Sequence, residues 1–453
     1  MTIIMLRTRG DAMGKTTLSN RQALVVGLTL FSMFFGAGNL ILPPLLGLQA
    51  GTDSPAAMVG FLVTGIGLPV LGIVAVALAG TLRELAARVH PAFARVFVAL
   101  VYLAIGPCLA IPRTSSTSFE MVAPLLPAGV SAETARLVFS VLFFAAAYAL
   151  AMHPGALTRL LGRITGPALI ALIAAVVIAA MLDPAPSLAA AQAPYAGRAG
   201  MQGFLTGYQT MDLLASLTFG LVIAVNIREL GVDDERGLMR EISRAGVFAG
   251  LLMGVIYCGL AWVGASVSGT LTGATNGAQV LTASATAHFG LAGTVVVAAI
   301  FLLACLNVCV GLISCCSAYF AEELPRVSYP VWAAGFAVFS CAVSNIGLDA
   351  ILAFSVPLLN ALYPPAIVLV LFGMMHRACD RVPAVWPWAV GVCCVVSVWT
   401  AVRDAFFTDI WTWVDALPLA NFGLGWTLPA LAGAAVGVAV SLVLRRRGAP
   451  AAA

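Results

Sequence analysis

"FFGAGNLILPP", residues Phe34 to Pro44, lies in the middle of a long apolar run. Its reading decides the fold. Two glycines, Gly36 and Gly38, and the amide of Asn39 weaken a helix at the point where lipid offers nothing to replace its lost hydrogen bonds. Close packing of small residues between membrane helices would account for the glycines. It does not account for Asn39 beside them, nor for the Pro43-Pro44 pair that follows.

The run is one of many. The chain has 453 residues, of which 61% are hydrophobic and 9% charged, with a mean hydropathy of +1.02. Soluble domains carry about 25% charged residues. A helix that crosses a bilayer needs roughly 20 mostly apolar residues. Runs of that kind begin near residues 23, 57, 96, 134, 164, 203, 245, 289, 330, 350, 384 and 419, which predicts an all-α membrane protein of about twelve spans.

Charge fixes the sidedness. Of the 23 basic residues, all but Arg113, Arg136, Arg198 and Arg403 fall on the side that holds both termini and the alternate loops. Lys and Arg collect in cytoplasmic loops, so both ends are expected inside, which agrees with an even helix count. The net charge of +4 then reports topology and not a nucleic-acid partner.

The ten cysteines lie in or beside apolar runs, apart from Cys379 in a short inner loop, so no outer disulfide framework is expected. Cys305 and Cys309, one helical turn apart, read as small buried hydrophobes rather than metal ligands. The stretch GDAMGKT, Gly10 to Thr16, imitates a phosphate loop but is one residue short of the spacing, with no strand before it. No cleaved signal peptide is evident, and Met13 is a second candidate start. His90, His153, His288 and His376 sit in or near loops without ligand spacing, which speaks against a membrane enzyme.

The expected organisation is a tail over residues 1–22, a single transport domain over 23–445, and a tail over 446–453. Within the domain, 23–182 and 203–375 form two five-helix halves and 384–445 holds two further helices. No room is left for a nucleotide-driven pump, so energy comes from an ion gradient or transport is passive. Three spans break the pattern of a simple bundle: the first at Gly36–Asn39, the third at "AIGPCLAIPRTSSTSFE" (Ala104–Glu120), and the sixth at "GYQTMDLLASLTFG" (Gly207–Gly220). The first and sixth stand five spans apart, so an inverted repeat puts them in corresponding places. Interrupted segments at matching positions of two halves point to a transporter binding site.

A helix broken at mid-membrane offers N–H groups at one half and carbonyls at the other. The N–H end suits a carboxylate, and the carbonyls suit a hard cation, with Asn39 as an added ligand. Asp212, an ionisable group in a membrane run, is a candidate site residue unless it lies at the outer interface. Tyr208, Ser216 and Thr218 bring hydroxyls near it. Arg113 and Glu120 are seven apart and share a helix face; pairing between them is the reading favoured over a shared vestibule wall. Asn307, Ser314 and Asn360 are weaker polar candidates.

"LFSMFFGAGNLILPPLLG", "YLAIGPCLAIPRTSSTSFE", "GYQTMDLLASLTFG" and "NGAQVL" resemble the bacterial branched-chain amino acid carriers, from about residue 18 to about 445. The resemblance implies twelve helices in the five-plus-five inverted repeat of the leucine transporter fold, and symport of Leu, Ile and Val with Na⁺ or H⁺. It implies that Gly36, Ala37 and Gly38 hold the substrate carboxylate by backbone N–H groups, with Ser216 and Phe219 flanking the substrate; Asp212 and Tyr208 join the expected substrate set from their place in the sixth span. Asn39 is implied as a ligand of one sodium, and Ser32, Phe35, Val310 and Ser314 as a second sodium site. There Ile313 stands where the wider fold has a second hydroxyl. No organic cofactor is implied. The expected place is the bacterial inner membrane, among lipid, and the oligomeric state is open. A related carrier for another amino acid or a nucleobase is the alternative within transport.

Overall fold

The computed structural model describes residues 17–127, 129–152, 166–182, 188–232, 234–407 and 412–446. Gly10–Thr16 and Met13 lie outside them. Every regular element among the described residues is helical.

The first span is two helices, α1 (Asn20–Phe34) and α2 (Ala37–Ala50). Ser19 and Gln22 form a reciprocal cap at the start of α1, the Gln22 N–H donating to Ser19 Oγ (3.3 Å) and the Ser19 N–H to Gln22 Oε1 (3.1 Å). The break is shorter than expected. Phe35 (φ −75°, ψ 88°) and Gly36 (φ −121°, ψ −167°) leave the helix, while Ala37, Gly38 and Asn39 are already the first turn of α2. That turn has free N–H groups by its geometry, so two non-helical residues suffice. Pro43 and Pro44 sit inside α2 and offer no N–H to the carbonyls four residues back, on Asn39 and Leu40.

The second span runs through α3 (Ser54–Leu62), a π-turn and α4 (Leu68–Ala79). A short α5 (Leu82–Ala87) follows. The third span joins α6 (Pro91–Leu103) to α7 (Ala110–Val122) through a π-turn where Gly106 is non-helical. Next come α8 (Ala132–Ala151) and α9 (Gly166–Leu182). The sixth span is α10 (Ala199–Tyr208) and α11 (Asp212–Glu229). Between them Met211 is left-handed (φ +66°), a conformation that costs a side-chain-bearing residue roughly 1–2 kcal/mol.

The chain continues through α12 (Glu235–Ser266), α13 (Gly277–Glu323), α14 (Tyr329–Ser344), α15 (Leu348–Met374), a one-turn α16 (His376–Cys379), α17 (Val385–Phe406) and α18 (Thr427–Arg446). Each of the twelve expected runs therefore contains a helix. Eight helical stretches among the described residues are long and apolar enough to cross a membrane by themselves; breaks and short lengths hide the rest from that measure. Two expectations shift. The eighth run, expected from near residue 289, is helical already from Gly277, with a sharp bend at Gly290 (φ +59°). The last helix starts at Thr427, after 3₁₀ turns.

Glycines set the closest helix approaches. A Cβ on Gly47 of α2 would lie 1.9 Å from the Ala261 carbonyl oxygen of α12, and one on Gly264 of α12 would lie 1.8 Å from the Pro44 oxygen of α2. The same holds for α3 and α10, where a Cβ on Gly60 would meet Gly200 O at 1.8 Å and one on Gly203 would meet Ala57 O at 1.8 Å. Small residues let membrane helices touch backbone to backbone. One half of each broken helix is thus locked against a continuous neighbour.

Two buried clusters result, one centred on α1, α2 and α12, the other on α4, α6, α7, α11, α15 and α17. Charged loops that the loop count groups together also meet in space. Arg83 pairs with Glu323, Arg88 with Asp380 (3.1 Å), Arg244 with Asn20 (2.7 Å), and Arg445 with the Arg381 carbonyl. Each of these bonds joins groups that the loop count puts on the inner side. On the other side Arg403 meets Asp415 (2.5 Å), and Thr275 and Asn276 both meet Asp349 (2.7 and 2.9 Å).

Candidate substrate and ion site

Both breaks open on one cavity of about 40 Å³, room for about three waters. It lies where the two buried clusters meet. From the first span it takes Phe34, Gly36, Ala37, Gly38 and Asn39; from the sixth it takes Thr210, Met211, Asp212, Ala215 and Phe219. Arg113 and Thr114 of α7 and Val308 and Leu312 of α13 complete the wall, with Met33, Ile105 and Ala110.

The polar core of the site is a knot around Asp212. Its side chain is 3% exposed, so it lies inside the protein and not at the outer interface. Asn39 Nδ2 donates to Asp212 Oδ2 (2.9 Å) and to the Phe34 carbonyl (2.8 Å). The Tyr257 hydroxyl of α12 donates to the same carboxylate oxygen (3.2 Å), and the Asp212 N–H donates to Thr210 Oγ1 (3.3 Å). This ties both breaks to α12. A buried carboxylate is tolerated when donors surround it.

Arg113 departs from the expected pairing with Glu120. Its guanidinium donates to the carbonyls of Gln209 (2.6 Å) and Thr210 (3.4 Å), at the open end of α10. It also lies against α2: a Cβ on Gly38 would be 2.4 Å from its terminal nitrogen. Glu120 sits two turns away, near Arg136 and Asp349. The seven-residue spacing placed the two on one face correctly. What each meets is set by its depth and its neighbours.

The other candidates divide. Gly36, Ala37, Gly38, Asn39, Asp212 and Phe219 line the cavity. Ser216 does not; its hydroxyl donates to the Leu213 carbonyl (2.6 Å) and fills the space above Gly72. Tyr208 also stands outside, stacked on Tyr363 with ring centroids 4.4 Å apart. Thr218 bonds back to Ala215 (2.8 Å). Of the proposed second cation position, Phe35 and Val310 are buried, while Ser32 and Ser314 are half-buried. Phe35 stacks on Phe31 at 4.9 Å. Cys305 and Cys309 are fully buried core residues, and all ten cysteines are free. Asn307 and Asn360 are half-buried and lie away from the cavity.

The sequence profile described as "Branched-chain amino acid transport protein" matches residues 19–444. The chain belongs to this family. It is 40% identical over 445 residues to the branched-chain amino acid transport system 3 carrier protein of Pseudomonas aeruginosa, covering 96% of this chain and 98% of that protein. It is 36% identical over 439 residues to the branched-chain amino acid permease BraB of Bacillus subtilis (95% and 98% covered), and 35% identical over 415 residues to the permease BrnQ of Escherichia coli (91% and 94% covered). Among solved structures, Mhp1, a nucleobase-cation-symport-1 family transporter, in a closed conformation with bromovinylhydantoin bound, superposes with a TM-score of 0.64 over 94% of this chain and 93% of that one, at 12% identity. At that identity the likeness is one of fold: the inverted-repeat fold of the leucine transporter, also shared by the inward-facing form of Mhp1 with a TM-score of 0.60.

This member of the branched-chain family is accordingly a transporter and not an enzyme. Its site uses a residue that no motif in the sequence singled out. Tyr257 carries no local signal, because an apolar helix with one tyrosine reads as core. Arg113 was visible as a charge inside an apolar run, the usual mark of function in a membrane, but its partners lie 96 and 97 residues away.

Proposed function

We propose that this chain imports Leu, Ile and Val across a bacterial inner membrane, with both termini cytoplasmic, by symport with a cation, Na⁺ before H⁺, through alternating access. The observation that carries the reading is the convergence of two broken helices and one buried carboxylate on a single cavity. The first turn of α2 presents backbone N–H groups to a carboxylate. Met33, Phe34, Ile105, Phe219, Val308 and Leu312 supply an apolar wall. Such a wall separates substrates that differ by one methylene by only about 1–3 kcal/mol, which suits a carrier that accepts all three side chains. The Phe34 and Phe219 rings meet at 5.6 Å across the cavity, so they part to admit Leu and close over it.

The cation belongs at Asn39. The amide nitrogen of Asn39 lies between two oxygens, those of Phe34 and Asp212, at 2.8 and 2.9 Å. A half-turn of the amide replaces the donor by Oδ1 and leaves three oxygens facing one point, the environment a hard cation prefers. A second cation at Ser32, Phe35, Val310 and Ser314 is part of the same proposal. The broken first and sixth spans then rock against the third and eighth around the fixed site.

Purified protein in liposomes tests this. Radiolabelled leucine should accumulate above equilibrium under an inward Na⁺ gradient, with Ile and Val competing. Accumulation under a proton gradient alone would move the coupling to H⁺, and none under either would reject the substrate class. Asn39→Ala should fold, and should raise the cation concentration for half-maximal uptake by about tenfold, the loss of one ligand or hydrogen bond to a charge. Unchanged cation dependence would remove Asn39 from the ion site.

A further inference from the structure

Arg113 is 3% exposed and lines the cavity, yet its charge meets no carboxylate within 4 Å among the described residues. The guanidinium has five N–H donors. Two hydrogen bonds to carbonyls engage it, one of them at 3.4 Å, and Nε has no partner. Asp212 attracts it across the cavity but does not touch it, its oxygen being held by Asn39 and Tyr257. A cation buried in this way is costly unless an anion comes into contact with it. The guanidinium also lies beside the first turn of α2, at Gly38, so a side-chain charge and a helix N-terminus point to one place.

We propose that Arg113 is a substrate-binding residue that receives the carboxylate of the amino acid together with the N–H groups of Ala37, Gly38 and Asn39. The proposal rests on the amino-acid transport reading above. A planar fork opposite a planar carboxylate gives a paired, charge-assisted contact. Gln209 and Thr210, at the open end of α10, hold the guanidinium in this structure. The carboxylate competes for the same donors, so loading the site loosens the grip of α7 on the broken sixth span.

Leucine and leucinol differ in the carboxylate alone and make the test. Binding to the purified protein at saturating Na⁺ is read by thermal-shift titration with each ligand. Wild type should prefer leucine by about 100-fold or more, the scale of a buried charge-paired contact. Arg113→Gln should lose most of that preference through weaker leucine binding, with leucinol unchanged, and Arg113→Lys should fall between. An unchanged ratio in Arg113→Gln would overturn the proposal, as would an equal loss of both ligands, which a purely structural role predicts. Should Arg113→Gln fail to fold, Gly38→Ala serves instead, because its Cβ displaces the guanidinium end and not backbone; it should compress the ratio in the same way, and a ratio equal to wild type overturns the assignment. Wild-type protein that binds leucine with no preference over leucinol overturns the carboxylate site, Arg113 and the α2 N–H groups together, and leaves the transport reading standing. Wild-type protein that binds neither rejects the function reading together with it.

Discussion

Asp212→Asn should abolish gradient-driven leucine uptake, by about 100-fold or more, while leaving the protein about as stable as before. The two halves of this expectation come from different physics. The carboxylate is 3% exposed and accepts from Asn39 and Tyr257. Asparagine has the same shape and can still accept from one of them. It also removes a buried charge, which relieves the desolvation of the carboxylate but takes the neighbouring anion from the buried Arg113, so two opposing terms offset each other. A structural role therefore predicts little change in uptake. A role in holding the coupling ion predicts its loss, since the neutral amide contributes far less to a cation than a carboxylate does. Liposome uptake and the melting temperature, measured on the same preparation, separate the two. Uptake within a few-fold of wild type would place the ion elsewhere.

Gly264→Val should prevent the folded protein from accumulating. A Cβ at this position would lie 1.8 Å from the Pro44 oxygen and 2.7 Å from its carbonyl carbon, and 2.9 Å from the Leu48 nitrogen. All three are backbone atoms of α2, so no side chain can turn aside. The helices would have to part by more than an ångström, which would also pull Gly47 from the Ala261 carbonyl. Overpacking costs about 1–3 kcal/mol in forgiving cores, and this site has no give, so a loss at or above about 3 kcal/mol is expected. Size-exclusion profiles of detergent-solubilised protein would show aggregation in place of a monodisperse peak. Gly335→Ala on α14 is the matched control. Nothing lies within 4 Å of its Cβ, and alanine is the better helix former by about 1 kcal/mol, so that variant should melt at the same or a higher temperature. A well-behaved Gly264→Val would show that α2 and α12 are not locked together.

Much of this was legible in the sequence. The apolar runs gave twelve helices because lipid forces every backbone group to be satisfied within its own segment. The arginines grouped the loops, and Arg83, Arg88, Arg244 and Arg445 each meet a residue of the group that the loop count put with them. Gly36, Gly38 and Asn39 marked the first break because no other reading explains an amide and two glycines in that place, although the non-helical residues proved to be Phe35 and Gly36. What stayed hidden depends on rotation and depth. Helical spacing says that Arg113 and Glu120 share a face, but not that Arg113 reaches the end of α10. It groups Tyr208, Ser216 and Asp212 in one stretch, but the break at Gln209–Met211 turns Asp212 into the cavity while Tyr208 stacks on Tyr363 and Ser216 bonds back to its own helix. Asn39 and Asp212 are 173 residues apart, and Tyr257 comes from a helix with no motif. The sequence by itself therefore determined which segments form helices and where two of them break. Only the tertiary structure decided which side chains meet at those breaks, because a hydrogen bond is fixed by angles and ångströms that the packing of neighbouring helices sets and the local sequence does not.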